Sequence, residues 1–247
     1  MAQPEGYLCN ARHREYYEAT KALDERIFEK IITKERIRQD VIDNGGMIWS
    51  KSGIHGKTYA WFRACLYCLA DHLVTEKPLE ETSFLDLGSS IGNILWNAAN
   101  IGFKTYGIDM DQECYEASGD IVEMAEKKGI IPTGRTKIAW GNFFPKEFKV
   151  KTSVRHDGFR DRINEHLLQL PDQDPYVTLG ITPPEVDLFY HFQVERLDNI
   201  LRFFAEYAHS GARLMFVHSE KDSPRLPKGV RMMESFGQDH VKLFQKD

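Results

Sequence analysis

Two aspartates and the turn between them are the residues of this chain whose types and spacing could do chemistry. The stretch DLGSSIGN at 86–93 is followed by a second acid, Asp109. Gly88 and Gly92 allow a tight turn and a close approach of backbone to a ligand. With Asp109 at the end of the next strand, the order of strand, glycine turn, helix, strand and acid is half of a nucleotide-binding sheet. The turn has neither the G-x-G-x-x-G of a dinucleotide site nor the G-K-[ST] that holds a triphosphate.

The elements that must position these residues are legible around them. Phe84, Leu85 and Leu87 form a short apolar run, the pattern of a strand buried on both faces. Ile94, Leu95, Ala98 and Ala99 have helical spacing, and Gly102 suits a helix C-terminus. Residues 105–108 read as a second strand that ends in Asp109. Asp111 can cap a helix running to Lys128 and stopped by Gly129. A third strand at 136–140 is followed by Asn142 and Phe143. The fourth is expected at 186–190, with His191 just past its carboxyl end. An amphipathic helix at 195–208 leads to a fifth strand at 212–218. The next link is too short for a helical crossover, and strands at 230–236 and 241–245 should close the chain as an antiparallel hairpin. Ahead of all this, a charged helical pattern at 14–43, a glycine-containing loop at 47–57 and a helix at 58–73 are expected.

The run from Asp86 to Asn93 resembles the first motif of class I S-adenosylmethionine (SAM)-dependent methyltransferases, and Asp109 resembles their ribose-binding acid. The resemblance implies an α/β fold: a doubly wound, mostly parallel seven-stranded sheet with a C-terminal antiparallel hairpin and a helical N-terminal cap. It places that cap at 1–57 and the methyltransferase domain at 58–247. It implies SAM as cofactor and S-adenosylhomocysteine as product. Cofactor contacts would fall on Asp86, Gly88, Ser89, Ser90, Gly92, Asn93, Asp109 and Met110. Asn142 and Phe143 would meet the adenine, with Asn standing where Asp is commoner. The 45–60 loop, with Trp49 and His55, matches a lid. Residues 144–185 are an insertion with the basic stretch KEFKVKTSVRHDGFRDR, a region that could select the substrate. The missing helix between the fifth and sixth strands departs from the family pattern.

Methyl transfer from a sulfonium is an in-line displacement whose cofactor is already activated, so the protein mainly orients the reactants and excludes water. A base is needed only when the acceptor must lose a proton. His191 is the expected base, because histidine titrates near neutrality and substrates bind beside the carboxyl ends of such strands. Tyr190 is the second candidate, able to orient an amine, and His218 a weaker third. Enzymes acting on adenine or glutamine amino groups place [DN]-P-P-[YF] where this chain has Tyr190-His191-Phe192-Gln193, and no cysteine follows a proline as cytosine-carbon chemistry requires. The expected acceptor is a small molecule. VDLFYHF, ERLDNILRFF and GARLMFVHS resemble the non-SET protein-lysine branch, which is the alternative, beside a catalytically silent SAM-binding module.

Composition narrows the class further. Hydrophobic residues are 42% and charged residues 28%, ordinary for a globular domain. A net charge of −5 argues against a nucleic-acid partner, and the apolar runs are far too short for a membrane span. Cys65 and Cys68 form a C-x-x-C, but it sits in a helical pattern where i and i+3 share a face. Packed thiols, no metal, and a reducing, cytoplasmic setting are expected for it and for Cys9 and Cys114.

Overall fold

The computed structural model describes residues 76–150, 170–192, 197–217, 225–236 and 241–247, with Glu18, Ala22, Leu23, Arg26, Ile27, Leu66, Leu69 and Ala70 described individually. The strands are β1 (Ser83–Leu87), β2 (Lys104–Asp109), β3 (Thr136–Trp140), β4 (Leu188–Phe192), β5 (Arg213–Val217), β6 (Val230–Phe236) and β7 (Val241–Lys246). They make one seven-stranded sheet in the order β3-β2-β1-β4-β5-β7-β6. The first five are parallel; β7 runs antiparallel to β5 on one side and to β6 on the other. A register shift between Met232 and Glu234 makes a one-residue bulge in β6, the last strand of the order.

Four helices are described: α1 (Asn93–Ile101), α2 (Gln112–Lys127), α3 (Pro175–Leu179) and α4 (Leu197–Tyr207). Their ends follow local chemistry. Asp111 caps α2 by accepting the Cys114 N–H at 3.1 Å, satisfying one of the first-turn donors. Gly102 closes α1 at φ 127°, a backbone angle that favours glycine, with its N–H on the Ala98 and Ala99 carbonyls.

Because strand side chains alternate between faces, the sheet is covered twice. Phe84, Leu188, Tyr190 and Met215 pack with Ile94, Leu95 and Ala98 of α1, and with Leu66, Leu69 and Ala70. Leu85, Leu87, Phe189 and Leu214 pack on the other face with Ile200, Leu201, Phe203 and Phe204 of α4 and Leu179 of α3. On the α1 side, Ile121, Val122 and Ala125 of α2 meet Trp96, Leu23 and Ile27. Each such fully buried aliphatic or aromatic side chain stabilises the fold by about 1.5–3 kcal/mol. This is the doubly wound arrangement with its closing hairpin that the sequence predicts.

One strand boundary moves. β4 begins and ends two residues later than expected, so His191 and Phe192 lie inside it. The reason is the one-turn 3-10 helix Pro183–Glu185, closed by the Glu185 carboxylate on the Thr182 N–H and hydroxyl, both at 2.7 Å, with Val186 as its C-cap. The expected helices at 14–43 and 58–73 lie largely outside the described residues, and the 45–60 loop, Cys9, Cys65, Cys68, Gln193 and His218 lie wholly outside them.

Candidate functional site

The turn after β1 is built from alternating backbone handedness. Gly88, Ser90 and Gly92 stand at φ 93°, 49° and 86°, and Ser90 is the one non-glycine residue among those described with a positive φ. Its amides are used by the chain itself. Gly88 and Ser89 donate to the Ile108 carbonyl at 2.9 and 3.1 Å, and Gly92 donates to Ser89 at 2.9 Å. The Ser90 N–H donates to Asp109 Oδ2 at 2.6 Å, and the Asp111 N–H to Asp109 Oδ1 at 2.9 Å. In a dinucleotide or triphosphate site such amides cradle phosphate. Here a carboxylate of the same chain takes that place.

Around the turn lies a group of buried polar atoms. Asp86 is 1% exposed and its Oδ1 has no hydrogen-bond partner; the same holds for the Ser89 and Ser118 hydroxyls and for both side-chain amide atoms of Asn93. Burial, and secondarily the Asp109 charge, push the Asp86 carboxyl well above the usual range. Close packing holds these groups together. A Cβ on Gly107, opposite Asp86 in β2, would sit 2.5 Å from Leu95 Cδ1 and 2.9 Å from Ser89 Oγ. A Cβ on Gly92 would sit 2.4 Å from Ser118 Oγ. Buried polar atoms without partners are uncommon, and five of them cluster here.

The third and fourth strands bring the remaining residues to the same edge. The Trp140 Nε1–H donates to the Met110 carbonyl at 3.0 Å, and the Gly141 N–H to the Asp109 carbonyl at 2.8 Å. Asn142 Oδ1 accepts the Phe144 N–H at 2.9 Å, and the buried Tyr176 hydroxyl of α3 donates to the Phe143 carbonyl at 2.7 Å. The Phe143 ring lies 5.5 Å from the His191 ring, which is 5.6 Å from Phe216.

Tyr190 and His191 point to opposite faces. Tyr190, opposite Asp86 in the β1–β4 register, is 3% exposed and stacks on Phe84 at 6.2 Å. His191 has no exposed surface, and its Nδ1–H donates to the Leu87 carbonyl at 2.5 Å. Burial lowers its pKa to about 4, against a smaller upward pull from that carbonyl. At neutral pH it is an uncharged ring tying β4 to the end of β1.

The structure therefore gathers Asp86, Gly88, Ser89, Ser90, Gly92, Asn93, Asp109 and Met110 at the carboxyl ends of β1 and β2, with Asn142 and Phe143 beside them after β3. That edge, the strand order and the antiparallel last pair decide the fold. The chain has the class I, Rossmann-like methyltransferase fold. No protein-family model matches the sequence, and no curated protein does. Among solved structures it is similar to the yhhF protein of Escherichia coli, at 11% identity over 74% of this chain and 84% of that one, TM-score 0.46. It is similar to an RNA methyltransferase from Salinibacter ruber in complex with S-adenosyl-L-homocysteine, at 13% identity over 72% and 89%, TM-score 0.39. A SAM-dependent methyltransferase from Thiobacillus denitrificans, also in complex with S-adenosyl-L-homocysteine, is 19% identical over 62% and 47%, TM-score 0.36. Likenesses this distant assign no activity; the fold rests on the methyltransferase-type strand order itself.

Three contributors to the site escape sequence reasoning: the left-handed Ser90, the Trp140–Met110 bond and the Tyr176 support under Phe143. Only the first left a signal, a serine midway between Gly88 and Gly92. Among the described residues no group of three or more His, Cys, Asp or Glu could hold a metal ion, and no helix is long and apolar enough to cross a membrane.

Proposed function

We propose that this chain is a SAM-dependent methyltransferase acting on a small-molecule acceptor. The observation that carries this reading is the Asp109 carboxylate seated on the Ser90 and Asp111 amides. An acid in that place repels phosphate and leaves the turn suited to an adenosyl ligand that has none. A carboxylate offers about four lone-pair sites, so two backbone bonds do not exhaust its capacity to accept from a ribose diol. Asp86, raised in pKa and without a partner at Oδ1, and the Asn93 amide then face the polar remainder of the ligand. Bound there, SAM supplies a methyl group already activated on a sulfonium. The chain's own residues orient it and exclude water.

His191 contributes by position in this reading: with a pKa near 4 and no exposed surface, its imidazole fixes the end of β1 and takes no proton from the acceptor. The same observation favours a second reading, a SAM-binding module without turnover. A protein-lysine acceptor remains the alternative within the enzyme reading, supported by the β4–α4–β5 sequence pattern. Calorimetric titration of the full chain with SAM, S-adenosylhomocysteine and NADH separates these readings. Micromolar binding of the first two and none of NADH is expected, and binding of NADH alone would sink the proposal. Methyl release from labelled SAM in the presence of amine, hydroxyl and thiol acceptors then separates enzyme from module.

A further inference from the structure

We propose that Asn142 is a specificity-determining residue that offers the base of the ligand a hydrogen-bond donor, so that the site hardly distinguishes a 6-amino from a 6-oxo purine. The inference rests on the reading of Asp109 as a ribose acceptor. In the strand order, β1 and β3 flank β2 on either side. The unpartnered polar atoms of Asp86, Ser89 and Asn93 follow β1 and suit the polar tail of the ligand. With the ribose at the end of β2, the base at the other end of the ligand falls on the β3 side. The chain after β3 is tied to that place. The Gly141 N–H donates to the Asp109 carbonyl at 2.8 Å, and the Trp140 Nε1–H to the Met110 carbonyl at 3.0 Å. Asn142, half-buried, is the next residue.

One bond fixes which arm of its amide faces outward. Asn142 Oδ1 accepts the Phe144 N–H at 2.9 Å. Turning the amide over would set its NH2 group against that N–H, donor against donor. The oxygen is therefore the inner arm and Nδ2 the outer one, and among the described residues nothing accepts from Nδ2. The backbone beneath has little room to adjust. The Tyr176 hydroxyl donates to the Phe143 carbonyl at 2.7 Å, and a Cβ on Gly141 would sit 3.0 Å from Pro175 Cγ. A carboxylate in this place would spend one oxygen on Phe144 and turn the other outward, an acceptor for a 6-amino group. The amide turns a donor outward instead. Adenine meets it with a ring nitrogen, and a 6-oxo purine meets it with the oxygen itself.

The test is calorimetric titration of the full chain with S-adenosylhomocysteine and with S-inosylhomocysteine, its 6-oxo counterpart. For the natural chain the two affinities should differ by less than about five-fold, under the worth of one hydrogen bond. A preference for S-adenosylhomocysteine of about five-fold or more would overturn the inference, because the amide would then not be acting as the donor. Asn142→Asp keeps an oxygen for the Phe144 N–H, so the loop stays capped, and replaces the outer donor by an acceptor. It should move the ratio of affinities toward S-adenosylhomocysteine by about ten-fold or more. An unchanged ratio, including an equal loss for both ligands, would reduce Asn142 to a cap of its own loop and overturn the inference as well. Binding of neither ligand by the natural chain would end the cofactor reading and this inference with it, whereas a strong adenine preference ends the inference alone.

Discussion

Asp187 and Asp86 are acids at opposite ends of the same sheet, Asp187 just before β4 at its amino end and Asp86 near the carboxyl end of the adjacent β1. Around Asp187 the chain supplies everything a buried carboxylate needs. Its Oδ2 accepts from Lys77 Nζ at 2.6 Å and from the Ser83 N–H and hydroxyl at 2.7 Å each, and His209 Nε2 lies 3.6 Å from Oδ1. Burial alone would raise its pKa, but Lys77 and Ser83 outweigh that and hold it below the usual value. Asp86 meets burial and a second acid instead, and its pKa is driven up. Arg213 is the exception at the amino end: one nitrogen bonds Glu76 at 2.6 Å while Nε and Nη1 are without partners. The difference teaches where the fold is finished and where it waits. An acid whose bonds are complete adds stability, whereas an acid left incomplete costs stability and gains a capacity to bind.

The largest effect that would break this comparison concerns pH and His191. Its folded pKa of about 4 lies below the roughly 6.5 of free imidazole, so between those values the unfolded chain binds the proton more readily. Its contribution is fully present above about pH 6.5 and is lost as pH falls toward 4, about 3 kcal/mol in all. Asp86 acts with the opposite sign, because a raised carboxyl makes stability fall as pH rises through its titration. The useful quantity is therefore the stability difference between the natural chain and His191→Gln, measured by denaturant unfolding at several pH values. It should shrink steadily from about pH 7 to about pH 4.5, since only one of the two titrates at this position. A difference that stays constant would mean the ring is not desolvated.

Next comes Asp109→Ala, which should weaken SAM binding about a hundred-fold by removing charged acceptors, while the chain stays folded. Calorimetry checks it, and unchanged affinity would refute the assignment. Asp187→Ala should do the reverse: about 2 kcal/mol less stable in urea at neutral pH, with SAM affinity unaltered, because the amino end holds structure alone. The smallest effect is the sharpest. Asp86→Asn should gain about 1 kcal/mol of stability at neutral pH, by removing a buried charge beside Asp109, and lose SAM affinity. A variant that is both less stable and unaltered in binding would show that Asp86 is a structural acid like Asp187.

Much of this was legible from residues in order. The 136–140 strand, the Asp111 cap, the Gly102 stop and the closing hairpin follow from local rules of alternation, capping and turn chemistry, and the structure has them. The fourth strand did not, because its apolar run continues through His191 and Phe192 and no turn residue marks its end. That two-residue slip is why His191 reads in sequence as a base just past the strand and lies buried within it in the fold. The left-handed angle at Ser90 was equally hidden, since a serine there is intrinsically disfavoured and the Asp109 carboxylate that accepts its N–H comes from the next strand. Tyr176 was out of reach for another reason: its bond to Phe143 spans residues far apart in the chain, and nothing local announces it.

The bulge in β6 bears on how this protein behaves when crowded. A sheet's outermost strand is a template on which another chain can grow, and Met232 and Met233 would make it an adhesive one. The extra residue at Met233 throws the outer row of amides and carbonyls out of step, and Arg231 and Glu234 flank it with charge. Deleting Met233 would restore the register and remove this protection while leaving the carboxyl ends of β1 and β2 untouched, so the variant should associate more readily than the natural chain when light scattering follows both at rising concentration.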